Sequence, residues 1–230
     1  MTLLIYRTQP SEGAVALAVA LREAGVRAKK VSRLPRRLNR HRYVAWGSYI
    51  EGDIDALNNI RVIGKLTEIQ KLVAAGVPTV TLGGYHEEAS LYRNFNHVGG
   101  HDLLNPAVAL TRPGFWVKKE EIAKEFRIHI WDGQSIRAGR KDKLSEDSHP
   151  WIRSYDGGWR IVYDGHGIKN KHREVAKNAV AALGLHFAAV DVAERPDGTV
   201  FVLEANRAPG LEGNSLSIYR DKIIEWAGGN

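Results

Sequence analysis

Apolar positions along the chain recur with two periods. Leu66, Ile69, Leu72 and Val73 share one stripe at three- and four-residue spacing, which predicts an amphipathic helix over 65–75 closed by Gly76. A second helix is predicted over 172–183, with Val175, Ala176, Ala179, Val180 and Leu183 on its buried face and Gly184 at its end. Phe126, Ile128 and Ile130 alternate with Glu125, Arg127 and His129, the period of a strand, and Asp132-Gly133 turns it back through Ile136 toward Arg140 and Lys141. Leu3 to Tyr6, Val26 to Val31 and Tyr43 to Ser48 read as strands, with a helix from an N-cap at Ser11 to Leu21, which makes a small α/β unit. Further strands are predicted at 78–82, around Leu91 and Tyr92, and at 114–118, and a helix over 219–227 closes the chain.

The segment with the most chemistry is Phe187 to Gly210. Two apolar, β-branched runs, 187–192 and 199–203, flank Pro196-Asp197-Gly198, and Asp-Gly between such runs predicts a hairpin. With Asp197 and Gly198 as the central turn residues, Asp191 faces Glu204. Like charges directly opposed on a sheet are destabilising unless something neutralises them. A divalent cation would do so, and Asn206, two residues beyond Glu204 on the same face, adds a neutral oxygen. Such an all-oxygen set suits Mg²⁺ held together with substrate phosphates, with Mn²⁺ as a substitute, so a nucleotide is the expected partner.

Asp191, then Glu204-Ala-Asn206 with Pro209-Gly210 close behind, resembles the metal-binding end of the ATP-grasp ligases. The longer run LEANRAPGLEGNSLSIY is similar to small amidoligase-like ATP-grasp proteins of tailed phages. The resemblance covers roughly 65–218 and implies an α/β (α+β) ATP-grasp fold: a shortened pre-ATP-grasp α/β domain over 1–84 and a nucleotide- and metal-binding domain over 85–230. It makes Lys65, at the start of its helix, a phosphate contact. It sets Arg93 where relatives commonly carry a lysine before a flexible glycine loop, here Gly99-Gly100. Trp116, Val117 and Lys118 would lie near the adenine, Glu125 at the ribose hydroxyls and Arg127 near the phosphates. A simple two-residue turn would put Arg140 on the Glu125 face, whereas the family pattern favours Lys141, and a β-bulge would reconcile the two. Relatives often carry an arginine two residues before the metal aspartate, where this chain has Ala189; Arg127 or Arg207 would take its place.

The implied reaction is ATP-dependent joining of a carboxylate to an amine through an acyl phosphate, with the carboxylate or amine carried by a peptide or protein end. Composition narrows this little. The chain has no cysteine, which excludes disulfides, thiolate metal sites and a cysteine nucleophile. No run of about 18 apolar residues suggests a membrane span, and a reducing cytoplasm, that of the host for a phage protein, fits. His97 and His101 flank the glycine pair without the further His or Cys that zinc needs. The net charge of +7 favours anionic partners. Its densest tract, from Arg22 to Arg42, keeps open an alternative in which the fold serves as a nucleotide- or nucleic-acid-binding module without catalysis.

Overall fold

The computed structural model describes residues 1–83, 90–94, 113–150, 152–163 and 167–228. Packing divides the chain into two units. The first comprises Met1–Val62, Gly184–Ala189 and Asn206–Asn230, and the second Ile63–Leu183 and Val190–Ala205. No helix among the described residues is long and apolar enough to cross a membrane.

The first unit holds a parallel sheet of β1 (Thr2–Tyr6), β2 (Ala28–Val31), β3 (His41–Ala45) and β4 (Ala56–Leu57) in the order β2-β1-β3-β4. Helix α1 (Glu12–Glu23) joins β1 to β2. Its buried Ala14, Leu17, Ala18 and Leu21 repeat at helical spacing, and the Ser11 hydroxyl caps it by accepting from the Ala14 N–H at 3.2 Å. The core of this unit is aromatic. Trp46 packs its ring 5.2 Å from Phe187 and 5.7 Å from Tyr219, which sits on the last helix. Asn58, held at φ +59°, accepts from the backbone N–H of His186 at 3.0 Å and donates to the Phe187 carbonyl at 3.2 Å.

In the second unit, helix α2 (Lys65–Ala74) buries Ile69 and Leu72. Ile69 packs with Val80, Phe115, Val117, Ala193 and Phe201 in one cluster. Strands β5 (Ser90–Asn94) and β6 (Gly114–Lys118) form an antiparallel pair. A larger sheet has the order β11-β10-β7-β8-β9, from β7 (Lys124–Trp131), β8 (Gln134–Lys143), β9 (Trp159–Tyr163), β10 (Phe187–Glu194) and β11 (Val200–Asn206). Helix α3 (Asn170–Ala182) packs on β7, where Phe126 meets the His172 ring at 4.3 Å. Phe126, Ile128 and Ile130 are fully buried, as the alternation requires. Glu125 and His129 on the opposite face are buried as well, so this sheet is covered on both sides.

Two expected details differ. The 78–82 segment makes only isolated bridges, Thr79 with Val202 and Leu82 with Val117, rather than a continuous strand. The closing helix, α4 (Ser215–Gly228), begins four residues before the expected start at Tyr219. Gly213 at φ +52° reverses the chain, and the Ser215 N–H then donates to the Glu212 carbonyl, so the loop after Pro209 is shorter than its glycines suggest.

Candidate active site

The covered polar face of the larger sheet gathers charge. Arg127 on β7 donates from Nε and Nη2 to the two carboxylate oxygens of Asp191 on β10, at 2.7 and 2.8 Å, a bidentate pair. Lys141 on β8 donates to Asp191 Oδ2 at 2.9 Å and to Glu125 Oε1. Arg153 stands 3.9 Å from the other Glu125 oxygen, with its guanidinium over the Trp159 ring and a bond to the Ile122 carbonyl. Nearby, Lys65, the first residue of α2, donates to Glu204 Oε2 at 2.8 Å. Glu68, one helical turn on, accepts from the Ala205 N–H at 2.9 Å.

A β-bulge brings Lys141 to this face. Around the Asp132-Gly133 turn, Trp131 pairs with Gln134 and Ile130 with Ser135, but His129 pairs with Arg137 and Phe126 with Arg140. Ile136 is the extra residue, and beyond it Glu125 comes opposite Lys141. Arg140 is turned away and forms its own pair with Asp142 at 2.6 Å.

Burial and charge act against each other at every member of this group. Burial penalises ionisation of Asp191, yet Arg127 and Lys141 outweigh it and hold the carboxyl well below the usual carboxylate range. Burial would lower Lys141, but Asp191 and Glu125 hold it above its ordinary value; Lys65 is raised likewise by Glu204 and Glu68. Lys65 pulls Glu204 down, against burial and the negative charge of Asp191. Asp191 and Glu204 are therefore close enough to repel. For Glu125 burial wins, and its carboxyl is pushed up. His129, buried beside Arg127 and Arg137, is lowered to about 3 and stays neutral.

The hairpin reaches this arrangement with a different turn from the expected one. The Gly198 N–H donates to the Arg195 carbonyl and the Arg195 N–H to the Thr199 carbonyl, both at 2.9 Å, with Gly198 at φ +84°. This is a three-residue turn with a glycine bulge, so Arg195 lies opposite Thr199 rather than Val200.

The remaining predicted residues are placed as follows. Arg93 on β5 is lowered by burial while Glu204, Glu125 and Glu68 act to raise it, and its Nε is buried without a hydrogen-bond partner among the described residues. Trp116 is half-buried, Val117 buried and Lys118 exposed on β6. The Trp116 carbonyl accepts from Gly83 and the Lys118 N–H donates to Thr81, so these two backbone groups are used within the protein. Gly99 and Gly100, like His97 and His101, lie outside the described residues. Asn206 and Arg207 belong to the first unit. Asn206 Oδ1 accepts from the Ala208 N–H at 2.9 Å, and Arg207 donates to the Arg61 carbonyl at 2.9 Å. Two members of the charged group, Glu68 and Arg153, are absent from the sequence reading. Glu68 was legible, three residues after Lys65 on the same helix face; Arg153 sits in a polar, turn-rich stretch with no periodic signal.

Among the described residues no three or more His, Cys, Asp and Glu side chains gather as a metal cage. The donor chemistry still fits a hard cation shared with phosphates: two mutually repelling carboxylates that are mostly buried, each neutralised here by protein cations. The orphaned Arg93 Nε fits a phosphate oxygen for the same reason.

The fold defined by these two sheets and the charged face between strands and α2 is that of the ATP-grasp proteins. A family model described as an ATP-grasp domain, the third family of its clade, matches residues 87–221, more than half of the chain, and the chain belongs to that family. Among solved structures it is similar to the ATP-grasp ligase PsnB complexed with a minimal precursor, with a TM-score of 0.68 at 14% identity over 97% of this chain and 99% of that one. The D-cycloserine synthetase DcsG aligns with a TM-score of 0.64 at 16% identity, over 98% and 99% of the two chains. The macrocyclase MdnC, bound with precursor peptide MdnA from Microcystis aeruginosa MRC, aligns with a TM-score of 0.63 at 12% identity, over 97% and 99%. Comparison with curated proteins finds no match.

Proposed function

We propose that this protein is an ATP-dependent carboxylate-amine ligase. The observation that carries the reading is the convergence of Asp191 and Glu204 with Lys65, Arg127 and Lys141, beside a buried Arg93 Nε that has no partner among the described residues. Family membership supports it, and PsnB has been solved with Mg and ADP. Asp191 and Glu204 would hold Mg²⁺, or Mn²⁺ in its place, which when bound neutralises phosphate charge.

The protein's own groups then have distinct tasks. Lys65 and Lys141, both held protonated, and the permanently charged Arg127 and Arg93 bind and orient the polyphosphate. Glu125, whose carboxyl is raised by burial, faces Lys141 and would accept from or donate to a ribose hydroxyl. In the first step a substrate carboxylate oxygen bonds to the γ-phosphorus and ADP leaves. In the second, an amine nitrogen bonds to the acyl carbon, inorganic phosphate leaves and the nitrogen loses a proton. No side-chain nucleophile is required. The acceptor or donor is a peptide or protein end, as suggested by the precursor peptides held by PsnB and MdnC.

The test is release of ADP and phosphate from ATP and Mg²⁺ in the presence of pools of amino acids, peptides and polyamines, for wild type and Glu204→Ala. Turnover that depends on one pool and disappears in the variant is the expected result. Failure of the wild type to bind ATP with Mg²⁺ would sink the reading.

A further inference from the structure

The net charge of the chain resides in one tract. Eight Lys and Arg residues lie between Arg27 and Arg42, and no Asp or Glu occurs from Ala24 to Ile50; elsewhere basic and acidic residues nearly cancel. Arg42 is buried, donating to Asp55 at 2.9 Å with its guanidinium 4.2 Å from the Trp226 ring centroid. Arg27, Lys29, Arg33, Arg36, Arg37 and Arg40 are exposed. Their side chains make no ion pair or hydrogen bond among the described residues.

This tract includes an open sheet edge. β2 is one of the two edge strands of the first unit's sheet. The Arg27 and Val31 carbonyls accept from Leu3 and Arg7 on the β1 side, at 2.8 and 3.0 Å. By the alternation of a parallel ladder, Ala28 and Lys30 turn their peptide groups outward. The Ala28 carbonyl takes a bond from Arg22 at 3.1 Å, while the Lys30 N–H and carbonyl have no partner among the described residues. One or two lysines suffice to guard an edge against pairing with another copy. The arginines at 33, 36, 37 and 40 lie past the strand and are not needed for that.

We infer that the β2 edge and its arginine flank dock an acidic, extended peptide segment, which adds as a strand beside Lys30 and turns its carboxylates toward the arginines. Main-chain pairing supplies affinity in strand addition and side chains supply selectivity. A peptide has the alternating N–H and C=O groups that match the open edge, and a polynucleotide does not. The tract also lacks any Phe, Tyr or Trp on which a base could stack, the first one after it being the buried Tyr43. The site requires no nucleotide and is independent of the ligase reading.

The test is fluorescence anisotropy with the full chain, without nucleotide, using a labelled Glu-rich peptide of about ten residues, ample for a strand of about 3.3 Å per residue. Binding that weakens with added salt is expected. The Lys29→Glu/Arg33→Glu/Arg36→Glu variant, checked for an unchanged unfolding temperature, should bind about tenfold or more weakly. So should a peptide of equal charge with proline at alternate positions, which cannot donate to an edge. A second variant, Arg36→Glu/Arg37→Glu, leaves the strand untouched and should give an intermediate loss. Absence of binding, equal binding by the first variant, equal binding of the proline peptide, or tighter binding of a duplex oligonucleotide of matched charge would each overturn the inference.

Discussion

Two regions of this protein are rich in charge, and they handle it in opposite ways. On the covered face of the larger sheet, Asp191, Glu125 and Glu204 are each matched to Arg127, Lys141 or Lys65 at hydrogen-bond distance. In and around β2, six exposed cations make no ion pair among the described residues. The difference is one of solvent. A buried charge left unpaired costs several kcal/mol, so a site that must hold ionised groups carries its counter-ions with it. An exposed cation is neutralised cheaply by water and salt, and can wait for a partner.

Breaking the buried set should therefore have the largest effect. Asp191→Ala leaves Arg127 and Lys141 without their main counter-charge and is expected to cost about 3–5 kcal/mol in urea denaturation. A loss under about 1 kcal/mol would show that solvent already reaches this face. Next comes pH. His129 is lowered from 6.5 to about 3, so the unfolded chain takes up a proton that the folded one refuses. Stability is then intact above about pH 6.5 and erodes as pH falls, by about 2 kcal/mol near pH 5. His129→Gln should flatten that slope in unfolding experiments at neutral and acid pH, and an unchanged slope would assign the acid sensitivity elsewhere.

Glu204→Gln should be milder, because Glu204 and Lys65 are both partly exposed; less than about 1 kcal/mol is expected. ATP turnover should nevertheless fall sharply, and retention of full turnover would remove Glu204 from the site. The smallest effect belongs to the basic tract. Arg33→Glu with Arg36→Glu should change stability by no more than about 0.5 kcal/mol, and turnover on a small substrate should not move. A drop of about 2 kcal/mol in thermal or chemical unfolding would mean that these arginines are woven into the folded structure after all.

The elements with strong periodicity were legible from sequence. The α2 stripe predicts 65–75, and the helix is found at 65–74 with Ile69 and Leu72 buried but Val73 exposed; the buried face of α3 is the predicted one. Turns were harder, as two Asp-Gly pairs illustrate. Asp132-Gly133 forms the expected two-residue turn, with φ of +42° and +71° at its central residues. At Asp197-Gly198 the preceding Pro196 makes the difference: its fixed φ suits the first central position of a type I turn. Asp197 becomes the second, its Oδ1 accepting from the Thr199 N–H and hydroxyl at 2.8 Å each, and Gly198 is left as the bulge. Among the candidate site residues, the grouping of Asp191, Glu204, Arg127, Lys65 and Lys141 in one unit follows the family resemblance; the two-residue turn that set Asp191 against Glu204 does not carry it, because Arg195 lies opposite Thr199. The Ile136 bulge that selects Lys141 over Arg140 has no signature in its own residue type. That ion pairs would occupy the carboxylates was hidden as well, because pairing depends on which strands neighbour one another and not on spacing along one of them.

The first unit is completed by a segment synthesised after the whole of the second. Its first strands and Trp46 leave the ribosome before the second unit, but Tyr219, which packs 5.7 Å from that indole, and the Ala227 carbonyl that accepts from Arg42 at 2.7 Å are made after it. During translation the indole therefore waits for its partner while all of Ile63–Leu183 emerges. A nascent chain stalled before α4 should bind chaperones through this unfinished aromatic core, and a chain extended through α4 should release them.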